Sequence, residues 1–309
     1  MSIVVTGASG SLGRLSAESL LKRIPPSDLI LVTRTPETLA ALAQRGVAVR
    51  YGDFDDPPSL TAAFAGARRM LLISTVQIGE RRCRQHQAAL EAALRAGVEH
   101  LVYTSASGIH VRNPAFIMPD HLATEELLRH AGLSVTLLRN AGYSEVVVTQ
   151  IAPKAVISGQ WVTSAGEGCV GFVSKHDCAE CAAVVLTTSG HEGAVYEITG
   201  PELLSYRDAA RIASEVTGKP IRYVVERDDE AHGDNARSLS RGLSFDSIGP
   251  YSRSDLLSYE RAVREGYFAI CAHHVQLITG RPAVPLADVF RAHQEALRAH
   301  ASSSDVRGH

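Results

Sequence analysis

The chain has 309 residues with 31 basic and 33 acidic side chains, a formal net charge of −2, and 45% apolar and 21% charged residues. That describes one large or two ordinary soluble domains, able to bury a core without disulfides or metals. So neutral a chain offers no strong field to a phosphate backbone, which argues against direct nucleic-acid binding.

The opening stretch, Met1–Gly10, enters a strand at once, with no basic region and no small-residue cleavage site, so no signal peptide is expected. No apolar run reaches the roughly 18 residues of a spanning helix, which leaves no membrane partner. Five cysteines (Cys83, Cys169, Cys178, Cys181, Cys271) fit free thiols in a reducing cytoplasm better than a disulfide framework.

Along the first 140 residues strand and helix patterns alternate. Strands are expected at Ser2–Thr6, Leu29–Thr33, Val47–Tyr51, Met70–Ser74, Leu101–Thr104 and Val135–Leu138. Between them lie helical patterns at Leu12–Arg23, Pro36–Arg45, Ser59–Ala65, Arg81–Ala96 and His121–Ala131, with glycines just past several ends. The strands are continuous apolar runs rather than alternating ones, as in a parallel sheet covered on both faces. The fold class is α/β, a doubly wound Rossmann sheet.

After Asn140 the rhythm changes. Gly159–Val173 is glycine-rich with β character, His176–Thr187 and Tyr206–Thr217 read as helices, and Ala194–Thr199 and Ile221–Val225 as strands. Arg227–Ser247 is polar and weakly periodic, like a lid loop. Tyr259–Val263, Ala269–Leu277 and Leu286–Leu297 look helical. The expected division is a nucleotide-binding domain at 1–140, with part of 176–200 returning to it. A smaller α/β substrate-binding cap follows at 141–300, then a flexible tail at 301–309.

The strongest motif is Gly7-Ala8-Ser9-Gly10-Ser11-Leu12-Gly13 at the first strand-to-helix turn. Glycines let the backbone approach a ligand, and the helix N-terminus suits a pyrophosphate. Strand two ends in Val32-Thr33-Arg34, with no acid for a ribose 2′-OH. Arg34, and Arg14 beside the loop, offer a 2′-phosphate a charged partner, so NADPH is favoured over NADH. Asp53-Phe54 follows strand three, where adenine would lie, and Ser74-Thr75 follows strand four, near a ribose. Ser105 and Ser107 end strand five, where a hydroxyl can donate to ligand or bond its own turn.

These features together resemble the NmrA-like group of atypical short-chain dehydrogenase/reductases, which includes NADPH-dependent quinone oxidoreductases and triphenylmethane reductases. The resemblance also rests on Gly52-Asp53-Phe54, His121-Leu122-Ala123-Thr124-Glu125, Leu138-Arg139-Asn140-Ala141-Gly142-Tyr143 and Leu277-Ile278-Thr279-Gly280-Arg281-Pro282. It implies a Rossmann domain, a small substrate domain and a cleft between them. In place of the relatives' Tyr-x-x-x-Lys pair, alignment on Glu125 puts Ile117 at the tyrosine and His121 at the lysine. An aliphatic side chain delivers no proton, so acceptors that need none at the moment of transfer are favoured: quinones and cationic dyes.

The candidate catalytic residues are His121, Asn140 and Tyr143, with His121 also a contact for the cofactor ribose. Gly7, Ser9, Gly10, Leu12, Gly13, Arg14, Arg34, Asp53, Phe54, Ser74, Thr75 and Ser105 are the expected cofactor contacts. Cys178 and Cys181 lie in an Ala/Val helix and read as packing. His273-His274 lacks a ligand pattern, and Arg81, Arg82 and Arg84 read as a solvated helix face. The histidines other than His121 read as surface or helix residues. The function expected is NADPH-dependent hydride transfer to a small quinonoid or aromatic electrophile. Two alternatives stay open: a non-catalytic NADP(H) sensor, or an aryl-substrate reductase or isomerase using His121. A homodimer also stays open.

Overall fold

A computed structural model describes residues 2–226 and 252–305. The expected lid at Arg227–Ser247 lies outside the described residues.

Seven parallel strands form the main sheet: β1 (Ile3–Val5), β2 (Leu29–Thr33), β3 (Ala48–Tyr51), β4 (Arg69–Ile73), β5 (His100–Ala106), β6 (Ser134–Asn140) and β9 (Val195–Ile198). Their order is β3-β2-β1-β4-β5-β6-β9. β1 pairs with β2 on one side and β4 on the other, so the chain reverses direction across the sheet at β1. Ligand crevices in open α/β sheets form at that switch point, beyond the carboxyl ends of the strands.

Alternate residues of each strand serve opposite faces. Ile3, Val5, Leu29 and Leu31 pack under α1 (Ser11–Leu21) and α8 (Lys175–Thr187). Val4, Ile30, Val32, Met70 and Leu72 pack under α3 (Pro57–Phe64), α4 (Glu80–Arg95) and α5 (Met118–Arg129). Both faces are covered, which is why the strands read as unbroken apolar runs. Pro36–Arg45 is a 3₁₀ turn (Pro36–Leu39) leading into the short α2 (Ala40–Gln44), rather than one helix.

A second core belongs to the later part of the chain. The parallel pair β7 (Gln160–Thr163) and β11 (Arg222–Val225) lies beside the antiparallel pair β8 (Cys169–Val170) and β10 (Leu204–Ser205). Around them pack α7 (Ala152–Ser158), α9 (Tyr206–Thr217), α10 (Arg253–Arg264), α12 (Leu286–Ala292) and α13 (Gln294–Asp305). Trp161, Phe172, Tyr206 and Phe290 fill the space between.

Three details of the sequence reading are corrected. The helix read at Ala269–Leu277 is only α11 (His274–Thr279); the stretch before it runs along Thr199, whose hydroxyl accepts from the Ala272 N–H at 2.9 Å and bonds the Ala272 carbonyl at 3.1 Å. Leu286–Leu297 breaks in two at His293, between α12 and α13. Helix α13 continues to Asp305, past the point where the tail was expected to start.

Cys178 and Cys181 sit in the core between α8 and the sheet; burial drives the Cys181 thiol up to about 12 and the Cys178 thiol upward too. Both pack as small apolar groups. His274 accepts from the Glu197 N–H at 2.9 Å, a structural bond between α11 and β9.

The glycine loop is fixed by one contact. A Cβ on Gly13 would stand 2.4 Å from the Gly7 carbonyl oxygen and 2.7 Å from Ala8 Cα. Gly13→Ala therefore forces α1 off the loop. Overpacking of this kind costs about 1–3 kcal/mol, so the melting temperature should drop by several degrees. Thermal unfolding followed by circular dichroism checks it.

Candidate active site

One cavity of about 760 Å³ opens along the carboxyl edge of the sheet and runs under the cap. At its first end lies the loop Gly7–Gly13. Gly7 adopts a positive φ of 59°, and Gly10 precedes α1 with no side-chain cap, leaving the first N–H groups of the helix for a ligand. Ser9, Gly10, Leu12 and Gly13 all line the cavity. Ser9 Oγ accepts from the Thr33 hydroxyl at 2.8 Å, tying the loop to the end of β2.

Arg34 is exposed at the cavity wall, at the end of β2. Arg14 is placed otherwise than expected. Its Nε donates to the Ser9 carbonyl at 3.0 Å and its Nη2 to the Thr38 carbonyl at 2.9 Å. It does not line the cavity; it clamps the glycine loop to the segment after β2. Asp53 and Phe54 line the wall beyond Gly52, and Ser74 and Thr75 line it at the end of β4. Asp55, next to this wall, is held below the usual carboxylate range, chiefly by its hydrogen bond from Arg81.

Ser105 and Ser107 do not offer free hydroxyls. Ser105 Oγ donates to Glu125 at 2.7 Å and Ser107 Oγ to Glu197 at 2.7 Å. Arg139 pairs with both carboxylates, at 2.7 Å and 3.4 Å. The half-buried cation fixes the acceptors, and the acceptors take the serine protons in hydrogen bonds. Both serines still line the cavity, but as parts of this network.

His121 lies in the wall on α5, with Nδ1 2.9 Å from the Tyr103 hydroxyl. Burial, aided by Arg82, holds its pKa well below the ordinary value. The ring is neutral at physiological pH, so the expected imidazolium acid is not populated. Ile117 lines the same wall one turn earlier. Asn140 and Tyr143 face the cavity from the end of β6; Asn140 Nδ2 donates to the Tyr143 hydroxyl at 3.3 Å, while Asn140 Oδ1 is buried without a partner.

Several lining groups were not foreseen. Lys175, the first residue of α8, donates to Ser11 Oγ at 2.9 Å and lies 5.4 Å from the Tyr143 ring centroid. Its backbone N–H donates to the Glu145 carboxylate at 3.0 Å. Its sequence signal was the Ser174 cap of α8, whose hydroxyl accepts from the Asp177 N–H; nothing local showed that this helix start returns to the glycine loop. The short α6 (Ser144–Val146) passes into a π turn, Val147–Ile151, which presents Gln150 and Ile151 to the cavity. Trp161, Phe172, Tyr206, Tyr259 and Phe268 form an aromatic wall under the cap.

Arg82 corrects the reading of Arg81–Arg84 as a solvated face. Its neighbours are exposed, but Arg82 itself is 2% exposed and lines the cavity. The histidines away from the site are likewise not all superficial: His86 and His100 are buried. His86 accepts from the Thr75 N–H at 3.1 Å through Nε2 and bonds Thr124 at 2.9 Å through Nδ1.

A NAD(P)H fits these residues. The glycine loop turns through the positive φ of Gly7 and packs closely on α1 at Gly13, α1 presents an uncapped N-terminus, and Asn140 Oδ1 and Thr75 Oγ1 are unpartnered in residues that line the cavity. The fold and this edge define a dinucleotide-binding oxidoreductase.

The chain belongs to the NAD(P)H-binding family, which matches residues 7–192, and within it to the NmrA-like group. Quinone oxidoreductase 2 of Escherichia coli is 37% identical over 222 residues, 72% of this chain and 76% of that protein. The structure of the NADPH-dependent quinone oxidoreductase of E. coli, complexed with NADPH, matches with a TM-score of 0.85 and 32% identity over 94% of this chain and 99% of that one. Triphenylmethane reductase of Citrobacter sp., complexed with NADP(H), gives 0.82 and 31% over the same shares. An NmrA-like family domain-containing oxidoreductase of Aspergillus flavus is 30% identical over 233 residues, 72% of this chain and 75% of that protein. Among the described residues no helix is long and apolar enough to cross a membrane.

Burial also makes the site acid-sensitive. His86 falls from 6.5 to about 3 on folding, mainly through burial. A depressed pKa gives stability that is full above pH 6.5 and is lost as pH falls toward 3. At pH 5 the loss from His86 alone is about 2 kcal/mol. His86→Gln keeps an acceptor and a donor without the titration. The melting temperature of the native chain should therefore fall more steeply between pH 7 and 5 than that of the variant, as a pH series of thermal melts would show.

Proposed function

We propose that the protein is an NADPH-dependent reductase that passes hydride to a small quinonoid or aromatic electrophile. One observation carries this: the glycine loop, the exposed Arg34 and the aromatic cap wall border a single continuous cavity, large enough for a dinucleotide's reactive end and a flat acceptor together. The named activities of the relatives support the acceptor class, and the NADPH in the relatives' structures supports the donor.

Bound NADPH supplies the hydride. The protein's own residues do the rest. The loop N–H groups and the N-terminus of α1 hold the pyrophosphate, and Lys175 adds a positive charge at Ser11. Arg34 takes the 2′-phosphate through its planar fork. Asp53 and Phe54 flank the adenine, Ser74 and Thr75 meet ribose oxygens, and neutral His121 bonds a ribose hydroxyl. Asn140 and Tyr143 orient the acceptor, and the aromatic wall aligns its ring and excludes water. Holding two planar partners in register accounts for most of the rate such a reaction needs. No carboxylic acid or imidazolium need deliver a proton, because water protonates the product afterwards. A cytoplasmic location suits this chemistry and the five free thiols.

Steady NADPH oxidation should appear with neutral quinones in a screen of quinones, dyes and aryl carbonyls. Tight NADP(H) binding without turnover of any acceptor would instead support the sensor reading. Arg34→Ala should lower the preference for NADPH over NADH by about tenfold to a hundredfold, the loss of charge-assisted bonds worth about 1.5–3 kcal/mol. Unchanged selectivity in the ratio of kcat/KM values would refute the role of Arg34.

A further inference from the structure

Arg82 is the most anomalous charge in the described residues. It is the third residue of α4, is 2% exposed, and leaves Nε and Nη1 without a hydrogen-bond partner. Its nearest carboxylate oxygen, Asp120 Oδ2, stands 3.9 Å from Nη1 and already accepts from the Gly79 N–H at 2.6 Å. The other groups that face it are neutral. Burial holds His86 and His121 unprotonated and drives the Tyr103 phenol up, so none is an anion. A buried guanidinium with one long ion pair and two unbonded N–H groups is costly, and packing could have been met by an apolar side chain of the same volume.

The same wall carries further unmet polarity. Gln85, one turn along α4, also has its Oε1 buried without a partner. Both residues line the cavity. The phosphates of a dinucleotide have other seats, on the glycine loop and at Arg34. Arg82, held only by its long ion pair to Asp120, therefore keeps two N–H groups for an acceptor oxygen in the cavity.

We infer that Arg82 stabilises the oxyanion that forms when a neutral quinone accepts hydride, and so selects neutral quinones over cationic dyes. This rests on the reductase reading above. In the step, a C–H bond of the NADPH donor breaks and its electron pair goes with the hydrogen to the quinone. The quinone is reduced by two electrons, the displaced electron pair comes to rest on an oxygen as a phenolate, and NADP⁺ leaves. Water later protonates the phenolate to the hydroquinone. A cationic dye that takes the same hydride becomes neutral, forms no oxyanion, and meets only repulsion from Arg82. The guanidinium thus supplies to the developing charge what a tyrosine acid would otherwise supply as a proton.

The test uses the full chain with Arg82→Met, which keeps volume, and Arg82→Lys, which keeps charge. With NADPH and a neutral benzoquinone, Arg82→Met should lose about 10²–10³-fold in kcat/KM, and Arg82→Lys should recover part of it. With a cationic triphenylmethane dye, Arg82→Met should equal or exceed the wild type. Binding gives a readout free of turnover: a nitrophenol titrated with wild-type protein should bind as its coloured phenolate, and Arg82→Met should abolish that preference. NADPH affinity from fluorescence quenching should stay within about twofold, and circular dichroism should show the native fold, although the loss of the cation beside buried Asp120 lowers the melting temperature. Undiminished quinone reduction, equal losses for quinone and dye, or weakened NADPH binding would each overturn the assignment. If the wild type reduces no acceptor, the reductase reading fails; the phenolate titration still decides the role of Arg82.

Discussion

The first turn of α1 lies against the Gly7 carbonyl with no room for a methyl group between them. That contact sets everything downstream. It aims the helix N-terminus along the carboxyl edge of the sheet, and Arg14 clamps the loop from outside by bonding two carbonyls. α8 closes the same corner from the far end of the sequence, with Lys175 reaching back to Ser11. The site is thus assembled where backbone packs on backbone, and a shift there moves both its charged groups and its floor.

On that floor, charge is distributed unevenly. Around Arg139 it is neutralised: two glutamates accept from the guanidinium, and two serine hydroxyls donate to the same glutamates. Around Arg82 it is met only at 3.9 Å by Asp120, and two guanidinium N–H groups have no partner. The contrast separates a structural ion network from a functional one. Partly satisfied polar groups in a low-dielectric interior cost stability, and such costs cluster at ligand sites.

Much of this was legible in the chain. Ile3–Val5, Leu29–Leu31 and Met70–Leu72 announce a doubly covered parallel sheet because each strand must feed two apolar layers. Gly7, Gly10 and Gly13 announce the loop, Gly7 through its positive φ and Gly13 through its contact with the Gly7 carbonyl. What stayed hidden depends on where distant segments meet. Arg82 looked like one of three solvated arginines, since adjacent charges at a helix start usually face water. Yet Arg82, His86, Ala89 and Ala93 recur at helical spacing on one buried face, a periodic signal that could have set Arg82 apart from Arg81 and Arg84. Lys175 and the wall of Trp161, Phe172 and Tyr206 gave no such signal, because their shared surface exists only where segments distant in sequence meet. His121 was found in position but misjudged in state: burial, which no local pattern reveals, keeps it neutral.

The central claim is that this site moves hydride with a fixed cation and no titrating acid. Single-turnover kinetics with NADPH deuterated at the transferring position, mixed with a neutral quinone in light and heavy water, tests it directly. The account predicts a primary isotope effect from the deuterated carbon, none from the solvent, and a rate flat between about pH 6 and 9. A large solvent isotope effect, with a rate that follows the protonation of a side chain across that range, would contradict it.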